Sequence, residues 1–257
     1  MASRLPRPRA IFFDAGNTLL RINYAAIAAA LADLGVSVAS AAVQRAEWRA
    51  RVRLDTELFA DRRASTESRT TLGRYLEHVL EGVGVTDDAV LHAMAEWRIR
   101  YNPPVGIFDT LEPSAPAALA AAREAGLAIG VISNSNGSIA SLLDSLGLGS
   151  FLDFVLDSFV VGVEKPDPRI FRMALERARV DAPDAVYVGD LYSVDVVGAR
   201  SVGMSAILLD PGACWGERDC PAVPDVAAAV RLVLGVDDVR TGRRGRRSDP
   251  GPRSPRT

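Results

Sequence analysis

The sequence predicts an α/β fold, a doubly wound parallel sheet interrupted after its first strand by an all-helical insert, on three observations. Short apolar runs rich in β-formers recur at residues 10–13, 127–133, 154–157, 185–188 and 205–209, between helical patterns. Strands spaced by helices pair in parallel. Residues 23–102, by contrast, carry helical periodicity and no convincing strand. Several of the apolar runs also end in polar residues that open a loop: Asp14, Ser133 with Asn134, and Gly189 with Asp190. Ligands of open α/β sheets sit beyond those strand ends, so these groups are candidates to converge.

The elements follow in order. Ala10-Ile11-Phe12-Phe13 is an apolar strand that delivers Asp14 to its tip, and the Gly16-Asn17 pair tolerates the positive φ of a tight turn. Helices are expected over 24–34, 38–62, 66–81 and 87–100, with breaks at Gly35, at Gly82 to Gly84 and at Pro103-Pro104. The core resumes near Gly106, and a helix over 114–124 leads into the second strand. After the last strand Pro211 opens a loop, and residues 226–234 form a closing helix. Residues 1–22 and 103–236 are thus the expected α/β core, and 23–102 the helical insert.

With 257 residues, 48% hydrophobic and 24% charged, the chain buries a full core without staples. Its two cysteines, Cys214 and Cys220, have neither a disulfide-framework nor a zinc spacing, so a reduced, cytoplasmic setting is expected. No uncharged run approaches the roughly 18 residues of a membrane span. The basic residues near Met1 precede no apolar targeting segment. The net charge of -2 is unevenly placed: from Arg240 onward seven arginines stand against Asp249, which leaves -8 on residues 1–239. That acidic body, without interleaved aromatics, argues against a nucleic-acid partner. Residues 237–257, rich in Gly, Pro and Arg, read as a disordered basic tail.

Lys165 is the one lysine among 30 basic residues. An ammonium is a compact point charge, whereas a guanidinium is a broad planar fork, so a lysine kept against this bias marks a place where the fork does not fit. Around it stand Asp14-Ala15-Gly16-Asn17-Thr18, Val131-Ile132-Ser133-Asn134, Glu164-Lys165-Pro166-Asp167, and Gly189-Asp190 with Asp195. Each piece alone has a structural reading: Asp190 and Asp195 as turn and helix-terminal acids, Ser133-Asn134 as a helix cap. Together, in this order, they resemble the four motifs of the haloacid dehalogenase-like hydrolase superfamily over about residues 9–235. The insert is similar to that superfamily's mobile helical cap.

The resemblance implies a Rossmann-like core and a Mg²⁺-dependent hydrolase of a small phosphorylated metabolite. Asp14 would attack phosphorus and form an aspartyl-phosphate, dividing a hard displacement into two easier steps. Asp14, the Gly16 carbonyl and Asp190 would hold Mg²⁺, with Asp195 behind them on a metal-bound water or on Lys165. Ser133, Asn134 and Lys165 would bind the phosphoryl group, Ser133 beside backbone N–H groups of the following turn.

One position departs from the pattern. Most phosphatases of the superfamily carry a second Asp two residues after the nucleophile, and here Gly16 stands there. General acid–base help is worth about 10²–10⁴ in rate. Three readings follow: a phosphatase, slow or using water, a substrate group or another side chain such as Asn17; a 2-haloacid dehalogenase, which attacks carbon and needs no metal; or a weakly active or non-enzymatic phosphate-binding or regulatory protein. Phosphonate hydrolysis in the superfamily uses an additional cap lysine, and residues 23–102 contain none. Asp190 and Asp195 are laid out as a metal site, which ranks the metal-dependent phosphatase first. In the insert, His78 and His92 lack catalytic partners, and Trp48, Trp97, Tyr75 and Tyr101 read as helix packing. Arg62, Arg63, Trp97, Arg98 and Tyr101 are the insert residues considered for substrate selection. The sequence leaves substrate identity and oligomeric state open.

Overall fold

The computed structural model describes residues 8–60 and 65–236. Arg62, Arg63 and the expected basic tail lie outside the described residues. Along the chain, β1 (Ala10–Phe13) and β2 (Leu20–Arg21) precede four helices, α1 (Tyr24–Asp33), α2 (Ser40–Leu54), α3 (Arg69–Gly82) and α4 (Asp88–Arg100). Then come β3 (Thr110–Leu111), α5 (Ala115–Glu124), β4 (Ala128–Ser133), α6 (Ile139–Ser145), β5 (Phe154–Asp157), α7 (Ser158–Val161) and α8 (Pro168–Ala178). The chain closes with β6 (Ala185–Gly189), α9 (Val197–Arg200), β7 (Ser205–Leu209), β8 (Ala222–Val223) and α10 (Val226–Leu234). Among the described residues no helix is long and apolar enough to cross a membrane.

Six strands form one parallel sheet in the order β5-β4-β1-β6-β7-β8. Its strands are near-continuous apolar runs because helices cover both faces. On one face Ile11, Phe13, Val131 and Val188 pack with Leu119 of α5 and Val230 of α10. On the other, Phe12, Ile132 and Tyr187 pack with Phe171 and Ala174 of α8. Alternation of Phe12 against Ile11 and Phe13 is the period of two that a strand imposes. β1 lies between β4 and β6, so the chain leaves it at the switch point of the sheet, where Asp14 stands.

The four helices of the insert share a second apolar cluster, including Ile27, Leu31, Val43, Val79, Leu80 and Met94, which Ile107 and Val194 of the α/β part join. Side-chain caps begin three of them: Asn23, Ser68 and Asp87 each accept a backbone N–H of the first turn. Two expectations needed correction here. The helix predicted over 38–62 ends at Leu54 and passes into a wider π turn, Asp55–Phe59. There Asp55 takes both donors of Ser193, the N–H at 3.0 Å and the Oγ at 2.8 Å. The helix predicted from 66 begins only at Arg69, because Ser68 is its cap. The antiparallel pair β2–β3, which carries the chain into and out of the insert, was not foreseen. Two residues per strand leave no periodicity to read.

Packing behind the sheet's C-terminal edge is tight at Gly198 of α9. A Cβ there would lie 2.6 Å from Phe171 Cε2 and 3.3 Å from the Pro166 Cα. Phe171 in turn meets the Tyr187 ring edge-on at 5.3 Å. Gly198→Val is therefore expected to destabilise the fold by about 1–3 kcal/mol through overpacking, read as a lower urea midpoint. An unchanged midpoint would contradict this packing.

Candidate active site

Asp14 leaves β1, Ser133 ends β4, Asp190 follows β6, and Lys165 arrives on the loop before α8. All four are buried, as is Asp195 in the turn before α9. Lys165 Nζ is the hub: it donates to Asp14 Oδ1 at 2.5 Å, to Asp195 Oδ1 at 2.7 Å and to Tyr187 Oη at 2.9 Å. An ammonium has three N–H donors, and here three acceptors meet them. The Tyr187 hydroxyl in turn donates to the Ile132 carbonyl at 3.1 Å. Burial opposes charge on Lys165, but the Asp14 and Asp195 carboxylates outweigh it and hold the amine above its ordinary range. Burial pushes the Asp14 carboxyl up to about 6, with Lys165 opposing and Asp195 adding to the rise.

Backbone contacts fix this hub. Asn134 Oδ1 accepts the Lys165 N–H at 2.7 Å and its Nδ2 donates to the Lys165 carbonyl at 2.9 Å. Asn134, expected to bind substrate, thus commits its amide to Lys165 and, at 2.9 Å, to Thr66 Oγ1 of the insert. Neither Ser133 nor Asn134 caps α6, since Ser138 holds that position. Two N–H groups of the turn after Ser133 are also already engaged, Ser135 by Ser158 Oγ and Gly137 by Asp157 Oδ2. Asp195 Oδ2 accepts the N–H groups of Asp190 and Leu191 at 3.1 and 3.0 Å.

Asp14, Asp190 and Asp195 each bring a carboxylate oxygen within 4.8 Å of the others. Three hard oxygen donors crowded out of water suit a hard divalent cation, which offsets their repulsion. Both oxygens of Asp195 are already engaged, which leaves Asp14 and Asp190 as the better ligands. Burial raises Asp190 well above the usual carboxylate range; Arg51 opposes the rise, while Asp14 and Asp195 add to it.

Arg51 belongs to a network that the sequence did not reveal. Its Nη1 lies 3.5 Å from Asp190 Oδ2, and it grips Glu47 through two bonds of 2.7 and 2.6 Å. Tyr24 and Tyr75 donate to the same Glu47 carboxylate at 3.1 and 2.7 Å, and Asn17 Nδ2 reaches both Tyr75 Oη and Asp190 Oδ2. Tyr75, read from sequence as packing alone, is thus a link between insert and core. The i, i+4 spacing of Glu47 and Arg51 was the available signal, yet it is equally common on solvated helix faces.

A cavity of about 150 Å³ lies between strand ends and insert, lined by Asp14, Gly16, Ser133, Lys165 and Asp190 from below and by Arg51, Thr66, Glu67 and Tyr75 from above. Trp97, Arg98 and Tyr101, considered for substrate selection, do not line it. Trp97 packs on Tyr101, whose hydroxyl bonds Asp109. His78 pairs with Glu57 at 2.8 Å away from the cavity, and His92 is exposed. A Cβ on Gly16 would lie 3.4 Å from Phe108 Cε1, so the place of the missing acid faces an aromatic ring. Asn17 takes the expected left-handed turn, with φ 53°.

The class this architecture defines is a doubly wound α/β sheet with an inserted helical roof over a cavity at its strand ends. A family model described as haloacid dehalogenase-like hydrolase matches residues 8–203, and the chain belongs to that family. It is 38% identical over 132 residues to the haloacid dehalogenase-like hydrolase domain-containing protein 3 of Mus musculus, over 51% of this chain and 52% of that one. It is 41% identical over 153 residues to a phosphoserine phosphatase of Thermus thermophilus, over 59% of this chain and 58% of that one. The chain spans about half the length of the curated relatives it matches. Among solved structures, a 2-haloacid dehalogenase of Pseudomonas syringae aligns with TM-score 0.52 and 26% identity, over 90% of this chain and 100% of that one.

The buried network yields a stability prediction. Glu47→Ala leaves the Arg51 guanidinium buried without its bidentate partner, which costs about 3–5 kcal/mol for such pairs. Chemical denaturation should show that loss, and a change under about 1 kcal/mol would mean that Arg51 is not held as a buried ion pair.

Proposed function

We propose that this enzyme is a Mg²⁺-dependent hydrolase of a small phosphate ester that works through an aspartyl-phosphate on Asp14. The observation that carries the reading is the buried trio of carboxylates around Lys165, which a metal-free displacement at carbon does not need. Asp14 attacks phosphorus, Lys165 neutralises charge between Asp14 and a phosphoryl oxygen, and the Ser133 hydroxyl donates to another phosphoryl oxygen. Asn134 fixes the Lys165 backbone, and Asp195 orients the ammonium. Asp14, Asp190 and the Gly16 carbonyl would hold Mg²⁺, which when bound would supply the charge neutralisation that lets a carboxylate approach an anionic phosphate.

In this reading residues 23–102 act as the cap over a core of 1–22 and 103–236, in a cytoplasmic enzyme. A cavity of about 150 Å³ is smaller than the ~300–1,000 Å³ of sites for larger ligands, which favours a compact metabolite. The phosphoserine phosphatase relative is in keeping with a small phosphorylated substrate. A 2-haloacid dehalogenase is the second reading, favoured by the absent acid at Gly16 and by the Pseudomonas syringae neighbour.

Asp14→Asn is expected to cut Mg²⁺-dependent phosphate release from p-nitrophenyl phosphate by more than about 10³-fold, as loss of a nucleophile does elsewhere. Activity that survives this change would remove Asp14 from the mechanism. Halide release from 2-haloacids in excess chelator would establish the second reading instead.

A further inference from the structure

Resting on the phosphatase reading, the geometry points to Glu67 as the general acid and base that position 16 lacks, delivered to the leaving group from the helical insert. Four carboxylates line the cavity among the described residues: Asp14, Asp190 and Asp195 belong to the strand-end cluster, and Glu67 alone comes from above. Its segment is docked onto the core at two points. Thr66 Oγ1 accepts from Asn134 Nδ2 at 2.9 Å, and Ser65 Oγ donates to Glu164 Oε2 at 2.8 Å. Asn134 follows Ser133 and Glu164 precedes Lys165, so Glu67 is registered against the groups that hold the phosphoryl oxygens.

Direction favours the insert. An in-line displacement sends the leaving oxygen away from the attacking Asp14, hence toward the roof of the cavity. Among the described residues Glu67 makes one hydrogen bond, through its backbone N–H to Ser65 Oγ at 3.2 Å, and none of them bonds its carboxyl group. Burial, reinforced by Asp14, Glu164 and Asp157 and opposed by Lys165, pushes that carboxyl up to about 7. A group half protonated near neutral pH both gives and accepts protons efficiently. Asn17 is no substitute, because an amide does not titrate and its Nδ2 is held by Tyr75 and Asp190.

The steps balance. As Asp14 Oδ bonds to phosphorus, the bond from phosphorus to the ester oxygen breaks, and the Glu67 proton passes to that oxygen to give the free alcohol. Water then attacks the aspartyl-phosphate at phosphorus while the Glu67 carboxylate takes one of its protons. The bond from phosphorus to Asp14 breaks, phosphate leaves, and both side chains return to their starting forms.

The test is quenched-flow measurement of phosphorylated protein in wild type and Glu67→Gln, with Mg²⁺ and two substrates. Glycerol phosphate loses an alkoxide that needs a proton; p-nitrophenyl phosphate loses a phenolate that does not. Glu67→Gln should slow phosphorylation by glycerol phosphate about 10²–10⁴-fold and affect p-nitrophenyl phosphate far less. With the latter, phosphorylated protein should accumulate behind a burst of nitrophenolate, because its hydrolysis has lost the base. Glycerol phosphate carries no cation, so a loss confined to it cannot come from a broken substrate ion pair. Glu67→Asp, which keeps a carboxyl group, should recover part of the glycerol phosphate rate. Equal slowing on both substrates in a variant with the wild-type melting temperature, or no slowing on either, would overturn the role of Glu67. If Glu67→Gln melts early, a Glu67→Asp variant that melts normally and is equally slow on both substrates overturns it too. A wild-type chain that is phosphorylated by neither substrate would instead overturn the phosphatase reading beneath it.

Discussion

The site depends on one buried ammonium. Asp14, Asp195 and Tyr187 come from a strand end, a turn before a helix and a strand interior, and Lys165 Nζ bonds all three. Removing an ammonium and two carboxylates from water costs several kcal/mol per ion, so such a cluster persists only where every donor and acceptor is matched. Here the match is complete around nitrogen: three N–H bonds, three acceptors. A planar guanidinium cannot direct three donors from one nitrogen at those acceptors. That geometry is the physical reason for a lysine in a chain that otherwise uses arginine.

A second buried charge network sets the relation of insert to core. Arg51 stands between Glu47, on its own helix, and Asp190, at the strand ends, so the helical roof touches the carboxylate cluster through an ion pair. Tyr75 and Asn17 connect the same two parts through hydrogen bonds. Any displacement of the insert alters the charge felt by Asp190. Phe108, stacked 6.0 Å from Tyr75, faces Gly16 and gives the floor of the cavity an apolar wall where an acid would otherwise stand.

Most of the core was legible in the sequence because its signals are local. The strands at residues 10–13, 154–157 and 205–209 have the expected limits, since apolar runs buried on both faces end abruptly at polar loops. Asp14, Ser133, Lys165, Asp190 and Asp195 were legible through their order along the chain, and the fold brings them to one cavity. Arg51, Thr66, Glu67 and Tyr75 were not, because their roles arise from how the insert docks. No local pattern separates an inward-facing helix polar residue from a solvated one. The π turn at Asp55–Phe59 was hidden for the same reason: Asp55, at its start, bonds Ser193, 138 positions away in the chain.

Lys165→Arg tests the three-acceptor hub directly, because it preserves charge and changes the shape of the donor. Melting temperature and Mg²⁺-dependent turnover of p-nitrophenyl phosphate should be measured together on the same preparation. Lys165→Arg should give a folded protein that has lost most of its activity, because a guanidinium cannot serve Asp14, Asp195 and Tyr187 from one point. A folded, fully active Lys165→Arg protein would contradict it and reduce the lone lysine to an accident of composition.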